Sequence, residues 1–444
     1  MIVRNLYQYM KGWRHLSIVL ISGSILYSLA HMTIYLYRYA PTAGGDFLAN
    51  FPSGRIAGWF GRTETFWVGS DASDWFLFSD WFLFSTTPVS NPDIWGYGPF
   101  FNIITMPLFI FSDLHTAYEY LLVIVVPMYL LSVILIIRFF KLHQTSAPVF
   151  ALTCFLLLNY YPAYETVLQR NIEVFTLLVL VLAAITFDRG NDSLAGLLIG
   201  LGAATKFLPG VLIPYFLIRK RWRAAATSLA TLGILTLWAE FALGWSNNHV
   251  FSALTGGSGS INAPGGSFLS DLMNQSLSGV VLNFANLVGL EQYGSGLARA
   301  VLMGGWFIVG FWVYRKRNSE SWLLHWSILL IAAVLLLPHN QNYYFTLLIL
   351  PIGYAIRLVY NLQSKMLLTL LILSVSLVAK PIPLSIIEVV TGPGLGERLM
   401  ELRVLTIGAL GLALTLFLST RKSLEPEDDF QTARKRLLDP STPS

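Results

Sequence analysis

Long apolar runs broken by short basic clusters set the pattern of this chain. A run of about 20 apolar residues, rising ~1.5 Å each, crosses a ~30 Å hydrocarbon core as a helix. The pattern predicts full spans at 17–37, 118–137, 149–162, 172–187, 224–243, 297–313, 323–337, 344–356, 366–378 and 404–418. The fold class expected is an all-α polytopic membrane protein of roughly ten full spans.

The basic clusters orient these spans, because Lys and Arg stay on the cytoplasmic side. Arg4, Lys11 and Arg14 hold the N-terminus in the cytoplasm, and Arg138 with Lys141 marks the return. Arg315, Lys316 and Arg317, then Arg357 and Lys365, mark later returns. Both termini are therefore expected inside, with 421–444 as a cytoplasmic tail. The remaining 1–420 forms one transmembrane domain with large outer loops at 38–97 and 245–296.

Two segments resist a simple crossing. The run 99–111 is short and contains Asn102 and Pro107, so it is expected as a partly inserted or interfacial element. The run 194–217 ends in Arg219, Lys220, Arg221 and Arg223, which one straight helix would place outside. Lys206 sits in its middle, followed by Pro209 and flanked by Gly202 and Gly210. A charge at the bilayer centre is costly, and proline removes a helix hydrogen bond. A broken, re-entrant hairpin with its polar apex at Lys206 resolves both conflicts.

Composition sharpens the class. Only 12% of residues are charged, against about 25% in soluble chains. The net charge of +5 is carried between apolar runs and at the chain ends, so it reads as topology and not as a nucleic-acid surface. Cys154 is the only cysteine, which excludes an intrachain disulfide and any cysteine-built metal cluster. The first apolar run lacks a convincing small-residue cleavage site and is read as a retained helix. The hexapeptide Asp-Trp-Phe-Leu-Phe-Ser occurs twice, at 74–79 and 80–85. Its aromatic content suits anchoring at the lipid interface.

On this topology the candidate chemistry gathers at the outer face. Asp46 follows the first span, Arg170 ends a short outer loop, and Asn274 with Gln275 ends the Gly/Ser/Asn-rich stretch 246–278 of the second large loop. His339 and Asn340 lie between two late spans. Intramembrane ionisable residues are functional by default, which singles out Lys206. A phosphate leaving group needs a cation or aligned amides against its developing charge, which Lys206 and Arg170 supply. An acceptor hydroxyl needs a general base, which Asp46 supplies. The glycine-rich 391–396 lacks the lysine and strand of a phosphate loop and reads as a turn. No ligand cluster of defined spacing appears, so no metal or other cofactor is predicted, although a divalent metal is compatible with the chemistry.

These residues together resemble a family. Asp46-Phe47 stands soon after the first helix, and Tyr97-Gly98-Pro99 ends the first outer loop. A Gly-rich segment runs through Gly200 and Gly202 into Lys206 and Pro209, followed by a basic cluster. Asn274-Gln275-Ser276-Leu277 lies in the later loop, and Pro338 precedes Tyr343-Tyr344 by a fixed interval. In this order they resemble the GT-C glycosyltransferases, especially the family-87 polyprenyl-phosphate-mannose-dependent mannosyltransferases. The resemblance implies Asp46 as base and Lys206 as phosphate contact, with weaker roles for Asn274, Gln275 and His339. Departures occur at Gly98, at Gln169-Arg170-Asn171, and in the long aromatic first loop.

The expected function is transfer of a hexose, mannose first, from a polyprenyl-phosphate donor to a lipid-linked or envelope glycan. The reaction would occur at the non-cytoplasmic face of the cell membrane, among membrane lipids. Arabinofuranosyl or glucosyl donors remain open alternatives. A transporter or flippase would also use broken helices, but no second half matching the first is found. A structural scaffold leaves Lys206 beside Gly and Pro without a purpose.

Overall fold

The computed structural model describes residues 18–31, 33, 100, 114–168, 171–243, 274–318, 321–337, 340–379 and 403–423. Every regular element among them is helical. In chain order these are α1 (Ile18–His31), α2 (Leu114–Phe139), α3 (Ala147–Leu158), α4 (Tyr161–Leu168) and α5 (Glu173–Asp188). Then come α6 (Asp192–Thr205), a 3-10 turn (Leu208–Val211), α7 (Leu212–Ile218) and α8 (Trp222–Leu243). They are followed by α9 (Leu277–Leu287), α10 (Glu291–Arg315) and α11 (Trp322–Leu335). A longer 3-10 segment (Asn342–Leu348) leads into α12 (Ile349–Leu362), α13 (Lys365–Ala379) and α14 (Val404–Ser423).

Four stretches among the described residues are long and apolar enough to cross a membrane: Tyr120–Phe139, Ala147–Val167, Glu291–Arg315 and Asn342–Leu362. Their outward surfaces are apolar; Val123, Phe307 and Met303 are each at least 70% exposed. In water such faces would be a liability, whereas lipid is as apolar as they are.

The structure departs from the hydrophobic pattern in three places. Residues 163–168, expected within the outer connection 163–171, belong to α4, which starts at Tyr161. Asn159 ends α3, and Tyr164 turns back to donate its hydroxyl to Leu158 O at 2.8 Å, which holds the two helices together at the break. Part of the expected loop 245–296 is helical as well. Ser276 caps α9 by accepting from Gly279 N at 3.2 Å, and α10 begins at Glu291, a carboxylate placed well for a helix N-terminus. At 342–348 the late span opens as a 3-10 segment before becoming α-helical. The expectations for 38–97, the repeated hexapeptide, 101–111, 391–396 and the tail beyond 423 lie outside the described residues.

The core is built from aromatic and aliphatic side chains shared by α5, α7 and α11. Trp326, fully buried, meets Phe216 and Trp322 edge-on at 5.9 and 5.3 Å between centroids. Such edge-to-face pairs add about 0.5–1.5 kcal/mol each beyond burial. His325 also lies here, against Trp312 at 5.2 Å.

Helices α6 and α8 pack more closely than side chains normally allow. Gly196 and Gly200, one turn apart on α6, face α8. A Cβ on Gly200 would stand 2.5 Å from Ser228 O, and one on Gly196 would collide with Ala224 and Thr227. This small-xxx-small stripe lets the two backbones touch. Replacing Gly200 with isoleucine is expected to cost about 1–3 kcal/mol, the usual range for overpacking, read as a lower thermal midpoint in detergent.

Candidate active site

The break in the segment 194–217 falls at Lys206. Helix α6 closes with Thr205, whose hydroxyl bonds back to Gly202 O at 2.8 Å. Lys206 then adopts an extended backbone (φ −149°, ψ 125°) while its N–H still donates to Gly202 O at 2.8 Å. Pro209 lies in the first turn of the following 3-10 element and packs on Gly202, where a Cβ would stand 3.1 Å from its ring. Proline and glycine thus fix a corner, and the extended residue at the corner is the lysine.

The lysine is fully buried. An unpaired ammonium at the centre of a membrane helix costs about 2.5–3.5 kcal/mol on insertion scales and more by other estimates. Glu173, in the first turn of α5 and also fully buried, forms an ion pair with it. The ammonium also lies 4.0 Å from the centroid of the Tyr344 ring and 5.2 Å from that of Tyr343. These two rings stack at 4.9 Å and 28°. A cation over desolvated aromatic faces gains about 2 kcal/mol or more. The carboxylate and the tyrosine pair together hold the charge.

The 3-10 segment of the tyrosines is held in turn by Thr166 of α4 and by Tyr160 just before it. Thr166 bonds Thr346 at 2.7 Å and Tyr343 O at 3.3 Å, and Tyr160 donates to Phe345 O at 2.8 Å. The end of the span at Tyr160 and the expected connection at Thr166 therefore together clamp the 3-10 segment that carries the platform.

Asn274, Gln275 and Asn340, read from separate parts of the sequence, meet in one buried joint. Asn274 Oδ1 accepts from Asn340 N at 3.0 Å and from Ser276 N at 3.1 Å. Gln275 N donates to Asn340 O at 2.6 Å, and Thr406 of α14 donates to Gln275 O. Asn340 Nδ2 donates to Val334 O at 2.7 Å. Gly279 is required beneath this joint, since a Cβ there would stand 2.5 Å from Asn274 O. The carbonyl oxygen of Asn274 thus organises backbone. Replacing Asn274 with alanine leaves two buried N–H groups without this acceptor. The expected loss is about 1–3 kcal/mol for each group left unsatisfied, measurable as a fall in thermal midpoint.

Asn340 is four residues from Tyr344, so the joint lies within about 14 Å of the tyrosine platform by chain reach alone. Around this region Glu173 Oε2, Asn340 Oδ1 and Asn342 Oδ1 are buried and make no hydrogen bond among the described residues. They are acceptors, suited to hydroxyl donors. Among the described residues no group of three or more His, Cys, Asp or Glu side chains gathers as a metal site.

Of the residues singled out from sequence, Lys206, Asn274, Gln275 and Asn340 are described and buried. Asp46, Arg170 and His339 lie outside the described residues. Sequence reasoning missed Glu173, Tyr343 and Tyr344 as partners of Lys206. The signal for Glu173 was present: a carboxylate opening an otherwise apolar helix is as conspicuous as the lysine.

Residues 95–338 match the model of glycosyltransferase family 87. That stretch contains Glu173 and Lys206 and stops before Asn340. A segment of 80 residues is 38% identical to a polyprenol-phosphate-mannose-dependent alpha-(1-2)-phosphatidylinositol mannoside mannosyltransferase of Mycobacterium tuberculosis (strain ATCC 25618 / H37Rv). This similarity covers 18% of the chain and 18% of that relative's own length. No solved structure matches.

Proposed function

The chain belongs to glycosyltransferase family 87, and from that premise we propose that it transfers a hexose, mannose first, from a polyprenyl-phosphate carrier. The acceptor is a lipid-linked or envelope glycan at the non-cytoplasmic face of the cell membrane. The observation that carries this reading is the buried ammonium of Lys206 at a helix break, balanced by Glu173 and two tyrosine faces.

The chemistry follows from charge. The acceptor hydroxyl attacks the anomeric carbon opposite the phosphate. The bond from that carbon to the phosphate oxygen breaks, and the lipid phosphate leaves with the electron pair. Lys206 meets the negative charge that develops on that oxygen, in a setting dry enough to make the attraction strong. Arg170, next to buried Asn171, is proposed as a second cation for the phosphate. Asp46 takes the proton of the attacking hydroxyl. Asn340, with Asn274 and Gln275 as its frame and His339 beside it, orients sugar hydroxyls. The tyrosines serve the apolar face of the sugar as well as the ammonium.

The test is direct transfer. Purified protein in lipid vesicles receives polyprenyl-phosphate-mannose labelled in the sugar, with a membrane-lipid extract as acceptor. Label is expected in a new glycolipid or glycan, and matched glucosyl or arabinofuranosyl donors are expected to give less. Movement of intact donor across the vesicle without any covalent product would overturn the reading in favour of a transporter.

A further inference from the structure

Away from Lys206, a cavity of about 660 Å³ opens between α1, α2 and α3. Its walls are apolar: Ile25 and Leu29 of α1, Val133 and Ile134 of α2, and Phe150 and Leu158 of α3 contribute. Its ends differ. At one end the wall is closed by polar contacts, where Asn159 Nδ2 donates to Ser28 Oγ at 2.5 Å and the Tyr129 hydroxyl donates to Leu157 O. At the other end stand Arg138 and His143, both exposed. Lys141 is exposed beside them, and no acidic residue occurs between 138 and 146.

The length of the groove narrows what fits. Tyr129 and Arg138 bound it along α2, nine residues apart and so about 14 Å at ~1.5 Å each. That is about half of a ~30 Å hydrocarbon core, the depth of one leaflet. A chain entering at the cationic end reaches Ser28, which is bonded to Asn159, and Tyr129 over that length. A long polyprenyl chain gains no more from a groove of this length than an ordinary acyl tail does. A phosphodiester headgroup at the entrance meets Arg138, a planar donor suited to phosphate, and a His143 ring nitrogen.

We propose that this groove is a binding site for one anionic glycerophospholipid, its acyl chain between α1, α2 and α3 and its phosphate on Arg138 and His143. The site is distinct from the one built on Lys206 and does not depend on the reaction assigned there. The sequence reading places Arg138 toward the cytoplasm, where anionic lipids give basic groups their attraction.

The full chain is reconstituted in phosphatidylcholine vesicles with a trace of phosphatidylglycerol carrying a photoreactive acyl tail. After illumination, label is expected on residues 25–29 and 130–137. It should exceed labelling by the matching phosphatidylcholine probe by about fivefold for each cation engaged. The double variant R138Q/H143Q, changed at exposed positions, is expected to bring the anionic probe down to the zwitterionic level. Ile134→Trp, which fills the groove from a half-exposed position, is expected to suppress both probes. Equal labelling by the two probes in the wild-type chain would overturn the proposal. So would labelling indifferent to Ile134→Trp, or displacement of the probe by equimolar polyprenyl phosphate.

Discussion

Replacing Lys206 with methionine is expected to lower sugar transfer by about 100- to 1,000-fold, the scale of losing one preorganised group that meets a developing anion. The fold should suffer as well. Removing one partner of a buried ion pair typically costs about 3–5 kcal/mol, because the other charge is left in a dry site. Here the abandoned group is Glu173, fully buried at the start of α5. Two further variants separate chemistry from packing. Glu173→Gln keeps the ammonium and its tyrosine platform, so its loss of turnover should be smaller than that of Lys206→Met. Its loss of stability should be similar, since it leaves the opposite charge unpaired. The double variant Lys206→Met/Glu173→Gln removes both charges and should recover most of the thermal midpoint without recovering turnover. Initial rates with labelled donor and melting in detergent give both readouts. A double variant that regains activity along with stability would reduce Lys206 to a structural ion pair.

The corner at Lys206 was legible because three independent signals coincide there. A charge sits in an apolar run, a proline follows it, and basic residues stand at the end where one straight helix would misplace them. Each is a local property of the chain, and local conflicts survive into the fold. The partners of Lys206 were not legible in the same way. Glu173 lies 33 positions earlier and begins a helix whose apolar run hid it. The rule that flagged the lysine applies equally to it, but pairing the two needs a tertiary contact. Tyr343 and Tyr344 were visible as aromatics opening a late span. Their use as a platform depends on the 3-10 geometry of Asn342–Leu348 and on the grip of Thr166 and Tyr160. Helix α4, which carries Thr166, straddles the expected end of a span at 162, because its eight residues include Tyr, Pro and Glu and its apolar content is modest. Asn274 shows a role that residue type leaves open. An amide in a polar loop suggests a ligand contact, yet its oxygen is occupied by backbone N–H groups of Ser276 and Asn340. Residue type alone does not tell a substrate contact from a joint that frames one.

Exchange of Asp46 for asparagine carries the other large expected effect. If this carboxylate removes the proton from the attacking hydroxyl, turnover should fall by about 100- to 10,000-fold, the range for loss of a positioned general base. Asparagine has nearly the same size and cannot accept a proton, so the change isolates the proton transfer from bulk. Donor binding is assigned to the cations and not to this residue. The affinity for polyprenyl-phosphate-mannose, measured by competition without acceptor, should therefore stay near that of the wild type. The pH dependence gives an independent readout. A base works only when deprotonated, so wild-type kcat should rise with pH through the carboxylate's own titration. That limb should vanish in Asp46→Asn, whose residual rate has no carboxylate to titrate at this position. Lys206→Met should behave differently, retaining the limb at a lower rate because its base is intact. An Asp46→Asn enzyme with full turnover would move the base elsewhere while leaving the phosphate site at Lys206 standing. Loss of donor affinity together with turnover would instead place Asp46 among the groups that hold the donor.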